Sequence, residues 1–126
     1  MAIRSYFDDL KKIIQNCELV QSFELTLDER TNEIGFIKGI LYFPKNIELH
    51  FREFVDVEKN EKYKYAYHLM KNKKLIFRYD NANDIESRKL TTHPHHKHLA
   101  DGAIQGSSEI GLPEVLMEIE NDFDLS

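Results

Sequence analysis

The sequence of 126 residues, with 41% hydrophobic and 31% charged side chains, has the size and balance of one soluble globular domain and is too short for two. Its net charge of −5 excludes a surface that is basic throughout, so any site for anions must be a local patch. Cys17 is the single cysteine, which excludes a disulfide framework, and the N-terminal residues resemble neither a signal peptide nor a membrane span. We therefore expect a cytoplasmic protein without a membrane partner.

The first element in the chain is an amphipathic helix over residues 3–17. Its apolar side chains recur at helical spacing and form one stripe from Ile3 to Ile14. The pattern then changes to alternation, which predicts antiparallel strands over residues 19–80, separated by short polar turns. A break in this alternation at Glu53–Phe54–Val55 indicates a β-bulge or a strongly twisted strand.

The last three of these strands form a predicted antiparallel meander with two different faces. One face carries aromatic and aliphatic side chains and is expected to bury against the helices. The other face collects basic, imidazole and carboxylate groups, namely His50, Arg52, Lys64, His68, Arg78 and Asp80. Polar residues are usual on the solvated side of such a sheet, so this face is equally well interpreted as plain surface or as a binding site.

After the last strand the periodicity ends in a long segment, residues 81–111, rich in Asn, Asp, Ser, Gly and His. A structureless connection of this length in a compact domain is more often functional than neutral. A final helix is predicted over residues 112–124, with Pro113 in its first turn. The predicted fold is α+β, with a single antiparallel β-sheet of about five or six strands and an N-terminal and a C-terminal helix packed on one face. Residues 1–126 form a single domain.

The long segment contains four histidines in the stretch Thr-His-Pro-His-His-Lys-His. The spacing of His93, His95 and His98 matches three positions of the His-x-His-x-Asp-His loop of metallo-β-lactamase-like hydrolases. An aspartate of that loop is replaced here by Lys97, and an ammonium group opposes a bound dication. A site without a cofactor is therefore preferred, with zinc or another divalent metal at the histidine cluster as the alternative.

The same stretch suits anionic substrates, because three permanent cations lie between Arg88 and Lys97 and no carboxylate follows before Asp101. Crowded imidazoles near neutral pH offer one protonated and one neutral partner, as acid–base cleavage of an RNA phosphodiester requires. In an extended segment, alternation sends the first two histidines to one side and the last two to the other. The candidate catalytic residues are His93, His95, His96, His98 and Lys97.

The chain resembles the TumE-like family of small prokaryotic proteins encoded beside antitoxins. The resemblance runs from about Ile47 to Ile119, and its most specific pieces are "FRYDNA" at 77–82 and "PHHKH" at 94–98. It implies a toxin of a toxin–antitoxin module that acts on RNA and has a cognate antitoxin, a small helix-turn-helix protein, as its partner. At residues 83–86 the chain reads Asn-Asp-Ile-Glu, whereas the family pattern commonly continues into a Pro-His-His-type stretch.

We expect the long segment to return across the polar face of the sheet or its edge and to bring the histidines toward the basic side chains there. The histidines would transfer protons in a metal-independent ribonuclease, while Asp80 would orient Arg78 or an imidazole. The candidate substrate-binding residues are Arg52, Arg78, Asp80, His50 and His68. A non-enzymatic module that binds an anion or a partner and a metal-dependent hydrolase are the alternatives, and a homodimer is compatible with each.

Overall fold

The computed structural model describes residues 1–123, which form two helices and one antiparallel sheet. Helix α1 spans Ile3–Asn16 and helix α2 spans Leu112–Asp122. The strands are β1 Ser22–Glu29, β2 Ile34–Phe43, β3 Ile47–Asp56, β4 Glu61–Lys71, β5 Lys74–Asp80, β6 His96–Leu99 and β7 Ile104–Gly106. The predicted α+β class is confirmed; residue 124, which the sequence predicts as helical, lies outside the described residues. Within the described chain, neither helix has the length and apolarity needed to cross a membrane.

The seven strands follow one another across the sheet in chain order, so the whole sheet is one antiparallel meander. The predicted number of five or six strands is too low, because residues 81–111 contribute β6 and β7. These strands have four and three residues, too few for a recognisable alternation of polar and apolar side chains. Strand β6 pairs with β5 from Phe77↔Leu99 to Asp80↔His96, and so the histidine tract extends the sheet.

Both helices pack on the same face of the sheet and bury their apolar stripes there. The buried side chains of α1 are Ile3, Phe7, Leu10 and Ile14, and those of α2 are Leu112, Val115, Leu116 and Ile119. Each such side chain contributes about 1.5–3 kcal/mol through its removal from water. Gly35 of β2 permits the close approach of α1, since a Cβ atom there would lie 2.5 Å from Cγ1 of Ile3. The predicted aromatic face is therefore the core face.

The hairpins of the meander have short turns, and register shifts interrupt the pairing near two of them. Asn72 and Lys73 adopt left-handed backbone conformations in the turn between β4 and β5, as a two-residue hairpin turn requires. The predicted bulge is confirmed by a register shift between Phe54 and Val55 in the β3–β4 pair. A second register shift lies between Leu69 and Met70 in the β4–β5 pair, and between the two shifts every second side chain of β3, β4 and β5 points away from the helices.

Candidate functional site

The sheet face opposite the helices, here called the open face, carries two neighbouring rows of side chains. The first row runs across β3 to β6 and contains, in order, His50, His68, Arg78 and His98. The second row runs across β2 to β6 and contains Lys38, Arg52, Ala66, Asp80 and His96. Neighbouring strands lie about 4.8 Å apart, so residues that are adjacent in a row are within reach of each other. The strand register thus places the polar side chains of the meander beside two of the clustered histidines.

A groove of about 350 Å³ lies on the open face over strands β2 to β5. Ala66 lies in the middle of the second row, and its short side chain leaves this space open. Three cations meet in the groove although the whole chain carries a net charge of −5, and it is therefore a local basic patch. The side chains that define this basic groove are Lys38, His50, Arg52, His68 and Arg78.

His50 is held at the rim of the basic groove by a carboxylate. Its Nε2 atom lies 2.9 Å from Oε2 of Glu48, and Nζ of Lys73 donates to Oε1 of the same side chain at 2.9 Å. The hydrogen bond from His50, followed by that from Lys73, lowers the pKa of Glu48. An ionised carboxylate only accepts hydrogen bonds, so Nε2 of His50 carries hydrogen and Nδ1 of the neutral ring presents a lone pair.

Arg78 connects the basic groove to the edge of the sheet, because it hydrogen-bonds to groups on both sides. Its Nη1 atom donates to Nδ1 of His68 at 3.3 Å, and its Nε atom donates to Oδ2 of Asp80 at 2.9 Å. Burial, followed by the charge of Arg78, lowers the pKa of His68. This imidazole is therefore neutral at physiological pH, with its hydrogen on Nε2.

Four potential metal ligands converge where β5 pairs with β6, and this edge cluster consists of Asp80, Asp84, His96 and His98. One ligand atom of each lies within 4.8 Å of the others. Nε2 of His96 is 2.9 Å from Oδ1 of Asp80, 3.3 Å from Oδ2 of Asp84 and 3.1 Å from Nε2 of His98. Asp80 and His96 are buried, whereas Asp84 and His98 are partly exposed. The cluster is closed toward the protein and open toward solvent.

The local sequence explains why the edge cluster forms. Asp80 ends β5, and its Oδ1 atom accepts the backbone N–H of Ala82 at 2.9 Å, which starts the turn that follows. Asp84 then accepts the backbone N–H of Ser87 at 2.8 Å, ahead of the short 3-10 helix, and this hydrogen bond is the leading cause of its lowered pKa. Strand β6 returns along β5 and places His96 opposite Asp80.

Lys97, a predicted catalytic residue, lies on the opposite side of β6 from His96 and His98. Its Nζ atom donates to Oε2 of Glu118 on α2 at 3.0 Å, and Oε1 of that carboxylate accepts the hydroxyl of Tyr79 at 2.5 Å. Burial opposes the charge of Lys97, but the hydrogen bonds with Tyr79 and Glu118 raise its pKa. The contacts of Lys97 therefore join α2 to the sheet and do not reach the open face.

His93 and His95 are also separated from the edge cluster. The ring of His95 stacks on that of Tyr65 with centroids 5.8 Å apart, and Nδ1 lies 2.7 Å from the tyrosine hydroxyl. His93 is exposed, with Nδ1 3.2 Å from Oγ of Ser87. The structure brings together His96 and His98, as alternation within β6 predicts, whereas His93 lies in the preceding turn and contacts a different residue from His95.

Three residues of these sites were not among the candidates from sequence. Lys38 continues the second row on β2, and Glu48 orients His50; both follow the alternation that placed His50 and Arg52 on the polar face. Asp84 lies in an irregular turn, where no periodicity indicates which way a side chain points. Its only sequence signals are its position four residues after Asp80 and the serine three residues later, whose backbone N–H donates to its side chain.

A comparison with protein families gives a match. The model of the family described as Toxin TumE matches residues 10–123 and so covers nearly the whole chain. The chain belongs to the TumE toxin family. Membership indicates the toxin of a toxin–antitoxin module, with a cognate antitoxin as its partner. No curated protein and no solved structure gives a significant match, and the site of this TumE-family chain is therefore argued from its own residues.

Proposed function

We propose that this TumE-family toxin is a ribonuclease that binds the RNA backbone in the basic groove and cleaves it by proton transfer through His50. The observation that carries the proposal is the strand register, which sets His50, His68 and Arg78 side by side on the open face. The groove they line is also flanked by the exposed side chains of Lys38 and Arg52. Phosphate groups are the natural ligands of such a patch.

The proposed base is His50, because Glu48 fixes its hydrogen on Nε2 and leaves Nδ1 free to accept a proton. Nδ1 takes the proton of a ribose 2′-OH, and the 2′ oxygen attacks the adjacent phosphorus. The bond to the 5′ oxygen breaks, and this oxygen leaves with a proton from water. The products are a 2′,3′-cyclic phosphate and a free 5′-OH, and the reaction needs the 2′-OH of RNA as its nucleophile.

The phosphate is held by groups that only donate hydrogen bonds. Arg78 and Arg52 supply guanidinium N–H groups, which match the oxygens of a phosphate. Arg78 also fixes the tautomer of His68, whose Nε2–H is a further donor. Donors that are already oriented stabilise the charge that grows on the phosphate oxygens in the transition state. His93, His95 and Lys97 have no part in this proposal.

Cleavage of a labelled RNA oligonucleotide by the untagged protein tests the proposal. We expect products that end in a 2′,3′-cyclic phosphate, persistence of cleavage in excess EDTA and no cleavage of DNA of the same sequence. His50→Ala should slow cleavage by about 100-fold or more, as loss of a general base does, whereas the matched control His93→Ala should not.

Three results would contradict the ribonuclease proposal. Cleavage that stops in EDTA would identify the metal-dependent alternative. If the His50→Ala protein inhibits cell growth as strongly as the wild-type protein, and the antitoxin relieves that inhibition, the protein is a binding module without catalysis. The third result concerns RNA affinity. If Arg52→Ala weakens it no more than Lys12→Ala, a charge-matched change on α1, the RNA binds outside the basic groove.

If the groove binds phosphate, Arg52→Ala should remove about one phosphate contact and so reduce the dependence of RNA affinity on salt concentration.

A further inference from the structure

No residue of the edge cluster transfers a proton in the reaction proposed at His50, although Asp80 holds Arg78 in place. One ligand atom from each of its four side chains converges on a common centre. We infer that Asp80, Asp84, His96 and His98 bind one divalent transition-metal ion of the zinc class. This inference does not rest on the proposed ribonuclease activity, because it follows from the hydrogen bonds and distances within the cluster.

The tautomer of His96 is fixed by the chain itself. Its Nδ1 atom lies 2.7 Å from the backbone oxygen of Pro94. A carbonyl oxygen only accepts hydrogen bonds, so Nδ1 carries the hydrogen. If this fully buried ring carries no second hydrogen, Nε2 presents a bare lone pair to the carboxylates of Asp80 and Asp84, 2.9 and 3.3 Å away. Lone pairs that face one another this closely repel unless a proton or a metal ion lies between them.

A proton satisfies fewer of these atoms than a metal ion does. A hydrogen on Nε2 of His96 points to one acceptor, whereas three ligand atoms surround this nitrogen. His98 adds to the difficulty, because its own Nε2 atom is 3.1 Å from that of His96 and 3.3 Å from Oδ2 of Asp80. A tetrahedral zinc ion with ligand distances of about 2.0–2.2 Å would set its ligands roughly 3.3–3.6 Å apart. Four of the separations in the edge cluster, 2.9, 3.1, 3.3 and 3.3 Å, are close to this spacing, and all four ligand atoms lie within 4.8 Å of one another.

The carboxylates are held in place by a second set of hydrogen bonds, as the ligands of metal sites usually are. Asp80 accepts from the backbone of Ala82 at 2.9 Å and from Nε of Arg78 at 2.9 Å. Asp84 uses Oδ1 to accept from the backbone of Ser87 at 2.8 Å, which leaves Oδ2 directed at His96. The Nδ1–H of His96 has its own acceptor in Pro94. Asp84 and His96 therefore each have one atom bound to the protein and another directed at the common centre, whereas each oxygen of Asp80 accepts one protein donor and also faces an imidazole.

The ligand types select the ion. Two imidazole nitrogens and two carboxylate oxygens suit zinc and its first-row neighbours, whereas Mg²⁺ and Ca²⁺ prefer six or more oxygen ligands. Lys97 does not oppose the ion, because strand alternation places its ammonium group on the helix side of β6, against Glu118. Such an ion would tie β6 and the turn at Asp84 to the end of β5.

Binding of Zn²⁺ alone to the untagged, chelator-washed protein tests the site without RNA, so that its outcome is separate from that of the ribonuclease assay. We expect one ion per chain by calorimetry in competition with a chromophoric chelator, and a rise in the unfolding temperature on saturation. His98→Ala and Asp84→Asn change partly exposed ligands, and each should weaken binding at least tenfold. Mg²⁺ should not compete.

The matched control is the double variant His93→Ala/His95→Ala, which removes two histidines of the same tract and should leave Zn²⁺ affinity unchanged. ¹⁵N resonances of the His96 ring give a second measurement, in which Zn²⁺ should shift Nε2 while Nδ1 keeps its hydrogen. Absence of stoichiometric Zn²⁺, equal losses in the control, or a doubly protonated His96 ring that ignores Zn²⁺ would overturn the inference.

Discussion

Two buried carboxylates, Glu53 on β3 and Asp80 on β5, differ in every neighbour, and the difference separates a structural group from a functional one. Glu53 is fully buried on the core face, where the hydroxyls of Tyr6 and Tyr67 donate to its two oxygens. Burial, followed by the charge of Glu53, raises the pKa of both tyrosines, which keeps them as donors. Asp80 is also buried, but it lies among two imidazoles and a second carboxylate at a site open to solvent.

The comparison shows what each arrangement allows. The network of Glu53 is complete with protein donors, and Nζ of Lys62 lies 4.0 Å away as a nearby countercharge. A ligand could add nothing to it without displacing a tyrosine. Asp80 has donors on one side, from Arg78 and the backbone of Ala82, and faces only potential ligands on the other. A buried carboxylate whose neighbouring side chains all direct potential ligand atoms at one point is suited to binding a cation at that point.

The largest effect on stability is expected from Glu53→Ala. The change leaves the hydroxyl of Tyr67 without its acceptor in the core and opens a cavity, which should lower the free energy of unfolding by about 2–4 kcal/mol. Urea denaturation measures it, with the exposed Glu61→Ala on β4 as a control within about 0.5 kcal/mol. An unfolding free energy equal to that of the control would show that the network of Glu53 contributes no stability.

Asp80→Asn should act mainly through the metal. At a free Zn²⁺ concentration of 100 times the dissociation constant, the wild-type chain should gain about 2.7 kcal/mol of stability, because the ion binds the folded chain and not the unfolded one. Asp80→Asn should lose this gain, whereas Glu53→Ala, although less stable throughout, should keep it. Denaturation of the three proteins with and without Zn²⁺ measures the difference, and an equal gain in all three would remove the distinction between the two carboxylates.

The core face could be predicted from sequence because long strands and helices repeat their pattern. The α1 stripe from Ile3 to Ile14, the β3 alternation and the bulge before Val55 all read directly from the residues. The two short strands after residue 81 could not be predicted in this way. Their place in the sheet comes from tertiary pairing with β5, which no local pattern records.

Three members of the edge cluster, Asp80, His96 and His98, were candidates from sequence, but their meeting with Asp84 could not be predicted, for the same physical reason. Its carboxylates lie 12 to 18 positions before its histidines in the chain, so the histidine tract read alone lacks acidic residues. Strand pairing supplies Asp80 to His96, and the turn supplies Asp84. Proximity along the chain also suggested that Lys97 joined the histidines, whereas the period of two in a strand sends it to the other face. Adjacent residues in a strand are poor candidates for one site.

The smallest effect is expected from Lys97→Met, which tests whether the two sides of β6 are independent. The change leaves Glu118 without its partly buried cation, although the carboxylate keeps the hydroxyl of Tyr79. Because both groups of the pair are partly solvated, the free energy of unfolding should fall by only about 1–2 kcal/mol. RNA cleavage and Zn²⁺ affinity should not change, and Lys12→Met, on an exposed position of α1, is the charge-matched control. If the Lys97→Met protein folds but no longer cleaves RNA, Lys97 is a catalytic residue after all. That result would contradict the division of β6 into a structural side, with Lys97, and a functional side, with His96 and His98.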